Sequence, residues 1–106
     1  MNPMPPLIES PVDNASYTPQ SLMFRWLRVN DAVRYHVQIA EDKEFRKIVE
    51  AGTDIRDVEY KAAGLDFKTY YFRISSVAKD NYQGDWSDVL RFTIAPPSPV
   101  PPDIRK

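Results

Sequence analysis

Ten prolines are split between the two ends of this sequence: five fall in residues 3–19, five in residues 96–102, and none in residues 20–95. Proline has no amide hydrogen to give to a sheet ladder and is confined to edges, first residues and bulges. A long proline-free interval between proline-rich ends therefore reads as a sheet domain between extended connectors. This predicts a connector at residues 1–5, one folded domain at 6–95 and a second connector at 96–106. The run Pro96-Pro97-Ser98-Pro99-Val100-Pro101-Pro102 favours polyproline II, a stiff spacer rising about 3.1 Å per residue. A ligand for a proline-recognising partner is the lesser alternative for it.

Inside that interval apolar residues alternate with period two, the spacing of a half-buried strand. Leu22, Phe24 and Trp26 share one face and Met23, Arg25 and Leu27 the other. Tyr35, Val37 and Ile39 alternate with Arg34, His36 and Gln38, and Val58 and Tyr60 with Asp57, Glu59 and Lys61. Tyr70, Phe72, Ile74, Ser76 and Ala78 oppose Tyr71, Arg73, Ser75 and Val77, and Leu90, Phe92 and Ile94 oppose Arg91 and Thr93. Short strands near Leu7–Glu9 and Arg46–Glu50 bring the expected number to seven. Turn residues separate them at Val29-Asn30-Asp31, Glu41-Asp42-Lys43, Gly52-Thr53-Asp54, Gly64 and Asp80–Asp85. Residues 41–50 fit a helical turn as well as a strand, with Phe45 and Ile48/Val49 at helical spacing. Either way the pattern is all-β, a seven-stranded antiparallel sandwich or barrel.

At 106 residues there is room for one core. Fourteen basic against fifteen acidic residues give a net charge of −1, without the basic excess that coating nucleic acid or an anionic membrane requires. With no cysteine there is neither a disulfide framework nor a thiolate metal site. No apolar run approaches the roughly 20 residues of a bilayer span, and Met-Asn-Pro-Met-Pro-Pro is not the charged-then-apolar start of an export signal.

The run Leu65-Asp66-Phe67-Lys68-Thr69-Tyr70-Tyr71-Phe72-Arg73-Ile74 resembles the approach to the sixth strand of fibronectin type III domains. Leu22-x-Phe24-x-Trp26 is similar to the second strand, Tyr35-x-Val37-x-Ile39 to the third, and Gly84-Asp85-Trp86-Ser87 followed by Leu90-x-Phe92 to the turn into the last. The piece from Ala32 to Phe45 is similar to a variant common in bacterial envelope and secreted proteins. The resemblance spans residues 6–95 and implies an immunoglobulin-like sandwich in which Trp26 is buried. It makes Tyr70 the tyrosine corner, its hydroxyl bonded to nearby backbone, with Tyr71 outward. It also implies a module of a longer, periplasmic or extracellular chain.

Residues able to do chemistry are few. His36 is the only histidine, and its register puts it on an outward face with no serine or second ligand at useful spacing. The carboxylates of Glu41/Asp42/Glu44, Asp54/Asp57 and Asp80/Asp85/Asp88 sit in polar turns rather than flanking a cleft. Asp80-Asn81-x-x-Gly84-Asp85 offers oxygens for calcium, but turn formation explains the same residues more simply. Glycines at 52, 64 and 84 make no phosphate loop. The expectation is a non-enzyme without cofactor or metal.

Two surfaces remain for binding. Tyr82, Asp85 and Trp86 suit stacking on a sugar ring or anchoring a protein interface, the alternative being that Trp86 folds over the sandwich end. Arg34, His36, Tyr71, Arg73 and Arg91 lie on one outer sheet face, suited to a protein partner, or simply solvated with the arginines bonding cross-strand acids. The expected role is an inter-domain spacer or protein-docking module whose partners are neighbouring domains or another protein. A carbohydrate-binding accessory domain of a wall- or polysaccharide-active enzyme is the alternative. Proline near the first strand disfavours edge pairing, so a monomer is expected.

Overall fold

The computed structural model describes residues 5–18 and 20–96. The rest of both connectors lies outside the described residues. Nine strands and no helix are present among them: β1 (Ile8–Ser10), β2 (Ala15–Tyr17), β3 (Leu22–Trp26), β4 (Ala32–Ala40), β5 (Ile48–Ile55), β6 (Glu59–Ala62), β7 (Thr69–Ala78), β8 (Gln83–Trp86) and β9 (Leu90–Ile94). They form two sheets. A small one has the order β1-β3-β6; the larger runs β2-β9-β7-β4-β5, with β8 also on β7.

The sandwich matches the expected class, and its two extra strands are β2, in a stretch assigned no strand from the sequence, and β8, which takes the second half of the expected Asp80–Asp85 turn. At the start, β1 pairs with β3, then the chain crosses at Pro11–Asn14 to the other sheet, where β2 pairs with β9. Asn14, in the left-handed region at φ 65°, turns the corner, and its amide donates to Arg91 O at 2.7 Å. Because β2 continues in the direction of β1, its pairing with β9 is parallel, the exception to the antiparallel rule here. At the end, β8 and β9 occupy successive lengths of β7. Ser87 bridges the gap between them: its amide donates to Ile74 O at 2.8 Å and its Oγ accepts from Ile74 N at 3.1 Å.

One expected turn is not a turn. Gly52-Thr53-Asp54 lies inside β5. Gly52 packs closely there: a Cβ at that position would come 2.8 Å from Ile55 Cδ1, which would have to turn aside, and 3.4 Å from Tyr60 and Val37. The ambiguous segment resolves into a turn at Asp42–Phe45 followed by a strand that starts at Ile48. The turn at Val29–Asp31 forms as expected, with Asp31 at φ 70° and Ala32 N bonded to Val29 O at 3.2 Å.

The alternating residues make the core. Phe24 and Phe72 stack across the two sheets at 4.2 Å between centroids, and Phe92 meets Phe24 edge-on at 5.3 Å. Trp26, 1% exposed, packs edge-on against Tyr35. Each such buried side chain contributes about 1.5–3 kcal/mol over its exposed state. Tyr35 keeps its hydroxyl satisfied by accepting from Val29 N at 3.0 Å.

Tyr70 is the tyrosine corner that the register indicated: its ring is 2% exposed and its hydroxyl accepts from Asp66 N at 2.8 Å. Tyr71 faces outward and is half-buried. Replacing Tyr70 with phenylalanine keeps the ring and strands the Asp66 N–H. A loss of about 1–2 kcal/mol is expected, read as a lower urea midpoint at unchanged slope.

Candidate functional site

Outward residues of β4, β7 and β9 share the outer face of the larger sheet. Pairing fixes their order: Gln38 opposite Arg73, His36 opposite Ser75, and Tyr71 opposite Arg91. The expected face therefore exists, and its centre is Arg73. The Arg73 guanidinium carbon lies 4.1 Å from the Phe45 ring centroid and 4.2 Å from that of Trp86, so the cation is sandwiched between two aromatic rings. Its Nε donates to Gln38 Oε1 at 2.9 Å. Burial between the rings pulls its pKa below the ordinary arginine value.

Three separate segments build this stack. Trp86 leaves β8, which pairs with β7 at Ser75, and its ring reaches His36 on β4 at 5.2 Å. It must therefore span β7 above Ser75, whose Oγ is buried and unpartnered among the described residues. Phe45 arrives from the β4–β5 turn. There Asp42 winds the chain tightly, its carboxylate accepting from Arg46 N at 3.0 Å and Lys47 N at 2.8 Å, while Phe45 N bonds Asp42 O at 3.1 Å. Phe45 itself takes φ 58°, a conformation costing a bulky residue about 1–2 kcal/mol. The contact with Arg73 leaves the ring only 6% exposed, which offsets that strain.

His36, Arg73 and Trp86 are thus brought together with Gln38, an outward residue of the same expected face, and with Gln83 and Phe45, which the sequence did not single out for the site. His36 Nδ1 lies 3.4 Å from Gln83 Oε1, a weak contact. Arg34 sits at the margin, donating to Thr53 O at 3.0 Å and to Asn81 Oδ1. Arg91 lies toward the other end and donates to Asn14 Oδ1 at 3.1 Å. Tyr82, 46% exposed, is in the β7–β8 turn, and Asp85 is exposed on β8. Among the described residues the ring contacts of Trp86 are to His36 and Arg73, not Tyr82. Trp86 is half-buried on the sheet face rather than over the sandwich end. Asp80 and Asn81 make the turn: Asp80 Oδ1 accepts from Tyr82 N at 3.1 Å and Asn81 takes φ 72°. An open groove of about 650 Å³ runs between the first strand and β8–β9, lined by Pro5, Leu7, Val12 and Val89 and also by Trp86 of the stack.

Hydrogen bonds first from Lys47 N and then from Arg46 N hold the Asp42 carboxylate below its ordinary pKa of 3.8. Glu41 is lowered too, chiefly by Lys47, which lies 3.2 Å away. A lowered carboxylate pKa stabilises the fold above the unfolded value and stops doing so as pH falls through the folded one. Loosening of the β4–β5 turn is therefore expected below pH 3.8. Amide protection at Arg46 and Lys47 should fall there before that of the β4 amides, and Asp42→Asn should remove the Asp42 share of this pH dependence and leave that of Glu41.

The chain is an immunoglobulin-like β-sandwich. More narrowly, its fold is that of a fibronectin type III domain. A fibronectin type III-like protein from Clostridium thermocellum superposes with a TM-score of 0.68 at 15% identity, over 92% of this chain and 99% of that one. The domain of human fibronectin type III domain containing protein 3 gives 0.65 at 17% identity, over 92% and 90%. A β-1,2-glucanase from Parabacteroides distasonis gives 0.68 at 15% identity over 91% of this chain, which matches only 13% of the glucanase. No protein-family model and no curated protein matches the sequence.

Proposed function

We propose that residues 6–95 are a non-catalytic module of a longer, exported bacterial chain, held between connectors at 1–5 and 96–106, where it spaces its neighbours or docks a protein partner. The observation that carries this reading is the segregation of proline in the sequence: β3 to β9 fall in the proline-free interval 20–95, and all ten prolines gather at 3–19 and 96–102. The outer face agrees. Its histidine packs beside Trp86, and its arginine is locked in a stack, an arrangement that presents a surface and supplies no acid–base pair. The fold itself hosts many functions and argues for none.

The carbohydrate-binding reading draws support from the similarity to part of a glucanase, but Trp86 has one ring face covered by Arg73 and is not free to stack on a sugar there. The two readings separate in an amide-resolved NMR titration with wall-derived and plant-type oligosaccharides. No shifts at millimolar sugar are expected. Shifts clustered on Tyr82–Ser87 would overturn the spacer or docking role.

A further inference from the structure

The outward positions of β4, β7 and β9 carry Arg34, His36, Arg73 and Arg91 and no aspartate or glutamate. Ion pairs among the described residues are Arg25–Glu59, Lys47–Glu41, Lys68–Glu41 and Arg56–Asp54, so none of the three arginines on this face has a carboxylate partner. Arg34 and Arg91 bond neutral oxygens instead. Arg73 differs from both. Only its Nε has a protein acceptor among the described residues, while its two Nη groups have none. Nor are those Nη atoms among the buried polar atoms that lack partners, so they face solvent.

The cation is therefore held fast by two rings and one amide, partly stripped of water, and aimed outward without a counter-charge. Arginine normally gives up about 2 kcal/mol of rotamer entropy when it is fixed in place; here the fold has already fixed it. A planar fork so held is preorganised for a carboxylate, which it meets through two parallel N–H···O bonds. The surroundings select the kind of anion. The outward arginines make a small basic centre, the neighbouring turns are of mixed sign (Asp42 beside Lys43, Arg46 and Lys47; Asp80 beside Lys79), and the whole chain has a net charge of −1. An extended polyanion or an anionic bilayer calls for a broad basic surface, which a chain without net positive charge does not offer, whereas a short acidic stretch of a partner protein complements a small basic centre.

We propose that the outer face of β4, β7 and β8 docks an acidic stretch of a partner protein, whose aspartate or glutamate pairs with the two Nη groups of Arg73. This rests on the docking role above.

The test is an NMR titration of the whole chain with short blocked peptides that carry a central glutamate between alanines and terminal lysines. The same peptides with a central glutamine serve as the comparison. The glutamate peptides are expected to shift the Arg73 Nε–H, the Trp86 indole N–H and the amides of His36 and Gln38. The glutamine peptides should bind about tenfold more weakly, the difference a charge-assisted bidentate pair makes. Arg73→Gln should abolish the response and Arg73→Lys keep only part of it, because an ammonium has no fork. If Arg73→Gln loosens the stack, Gln38→Leu leaves the charge and both rings in place, frees the guanidinium to turn, and should weaken the glutamate peptide severalfold. Equal binding of the two peptides, no shifts from either at millimolar concentration, or shifts elsewhere would each sink the proposal. So would heparin or phosphatidylglycerol vesicles binding this face more tightly than the peptides, or dilution of the protein alone moving the same resonances, which would make a second copy the occupant. Silent peptides together with silent sugars sink this proposal alone, whereas sugar-induced shifts at Tyr82–Ser87 sink the role beneath it.

Discussion

Replacing Phe24 with alanine is expected to destabilise the domain by about 3–5 kcal/mol, the range for emptying an aromatic site in a close-packed core. Phe24 has no exposed surface, stacks on Phe72 at 4.2 Å and meets Phe92 edge-on, so its loss leaves two other rings facing a void. Few neighbours can collapse into that space, because the two sheets that carry Phe72 and Phe24 are tied separately to their own strands. For a domain whose total stability is about 5–15 kcal/mol, this is a large fraction. The control is the adjacent residue: Met23 is 39% exposed on the opposite face of the same strand, and alanine there should cost about 0.5 kcal/mol or less. Urea unfolding of both variants checks the pair. Comparable losses from the two would mean that β3 is not seated in the register Phe24↔Tyr60 and Met23↔Lys61, since a one-residue slip exchanges the two faces of a strand.

That contrast between adjacent residues is also why so much of the fold was legible in the sequence. Alternation along residues 22–26, 35–39, 70–74 and 90–94 assigns each side chain to the core or to the outside, and the structure follows it. Past Ile74 it fails, because Ser75 and Val77, expected outward, are buried where β8 pairs alongside with a shifted register and Trp86 covers Ser75. The tyrosine corner was legible for the same reason, because only one of Tyr70 and Tyr71 shares a face with Phe72 and Ile74. Alternation says nothing, however, about where a strand pauses. The crossing at Pro11–Asn14 and the strand before Ser87 are set by pairing with strands far away in sequence, so β2 left no local signal and β8 read as part of a turn. Gly52-Thr53-Asp54 has turn composition but is held in β5 by its pairing with β4, Val37 opposite Gly52 and Tyr35 opposite Ile55.

The candidate site divides along the same line. Register alone showed that Arg34, His36, Arg73 and Arg91 share an outer face. It did not show that Phe45 closes the stack, because that contact depends on a left-handed residue in a turn wound around the Asp42 carboxylate. A bulky aromatic at φ 58° has no local signature, and the tertiary contact with Arg73 is what sustains it. Nor could the sequence show that Arg73 lacks a counter-ion. Acidic residues are plentiful in the chain, and only the folded arrangement places them away from the guanidinium.

Trp86→Ala separates the two roles this residue can have. As a wall of the stack, Trp86 shields Arg73 on one side, covers Ser75 and packs on His36. Removing it exposes those groups and one cation–π contact is lost, worth about 0.5–1 kcal/mol at an exposed site and about 2 when desolvated. With the apolar area of a half-buried indole added, a total loss of about 2–3 kcal/mol is expected. Part of that energy should be shared with Arg73: in a double-mutant cycle, Trp86→Ala and Arg73→Gln together should cost about 1 kcal/mol less than the sum of the two alone. A side chain kept as a ligand platform behaves differently, since surface residues away from packing change stability by about 0.5 kcal/mol or less. Unfolding curves for the two single variants and the double variant therefore decide the matter without any ligand. A stable Trp86→Ala protein with additive effects would take the indole out of the stack and restore the sugar-stacking role. A coupled loss would mean that the indole serves Arg73, and that the guanidinium it holds is what the face presents.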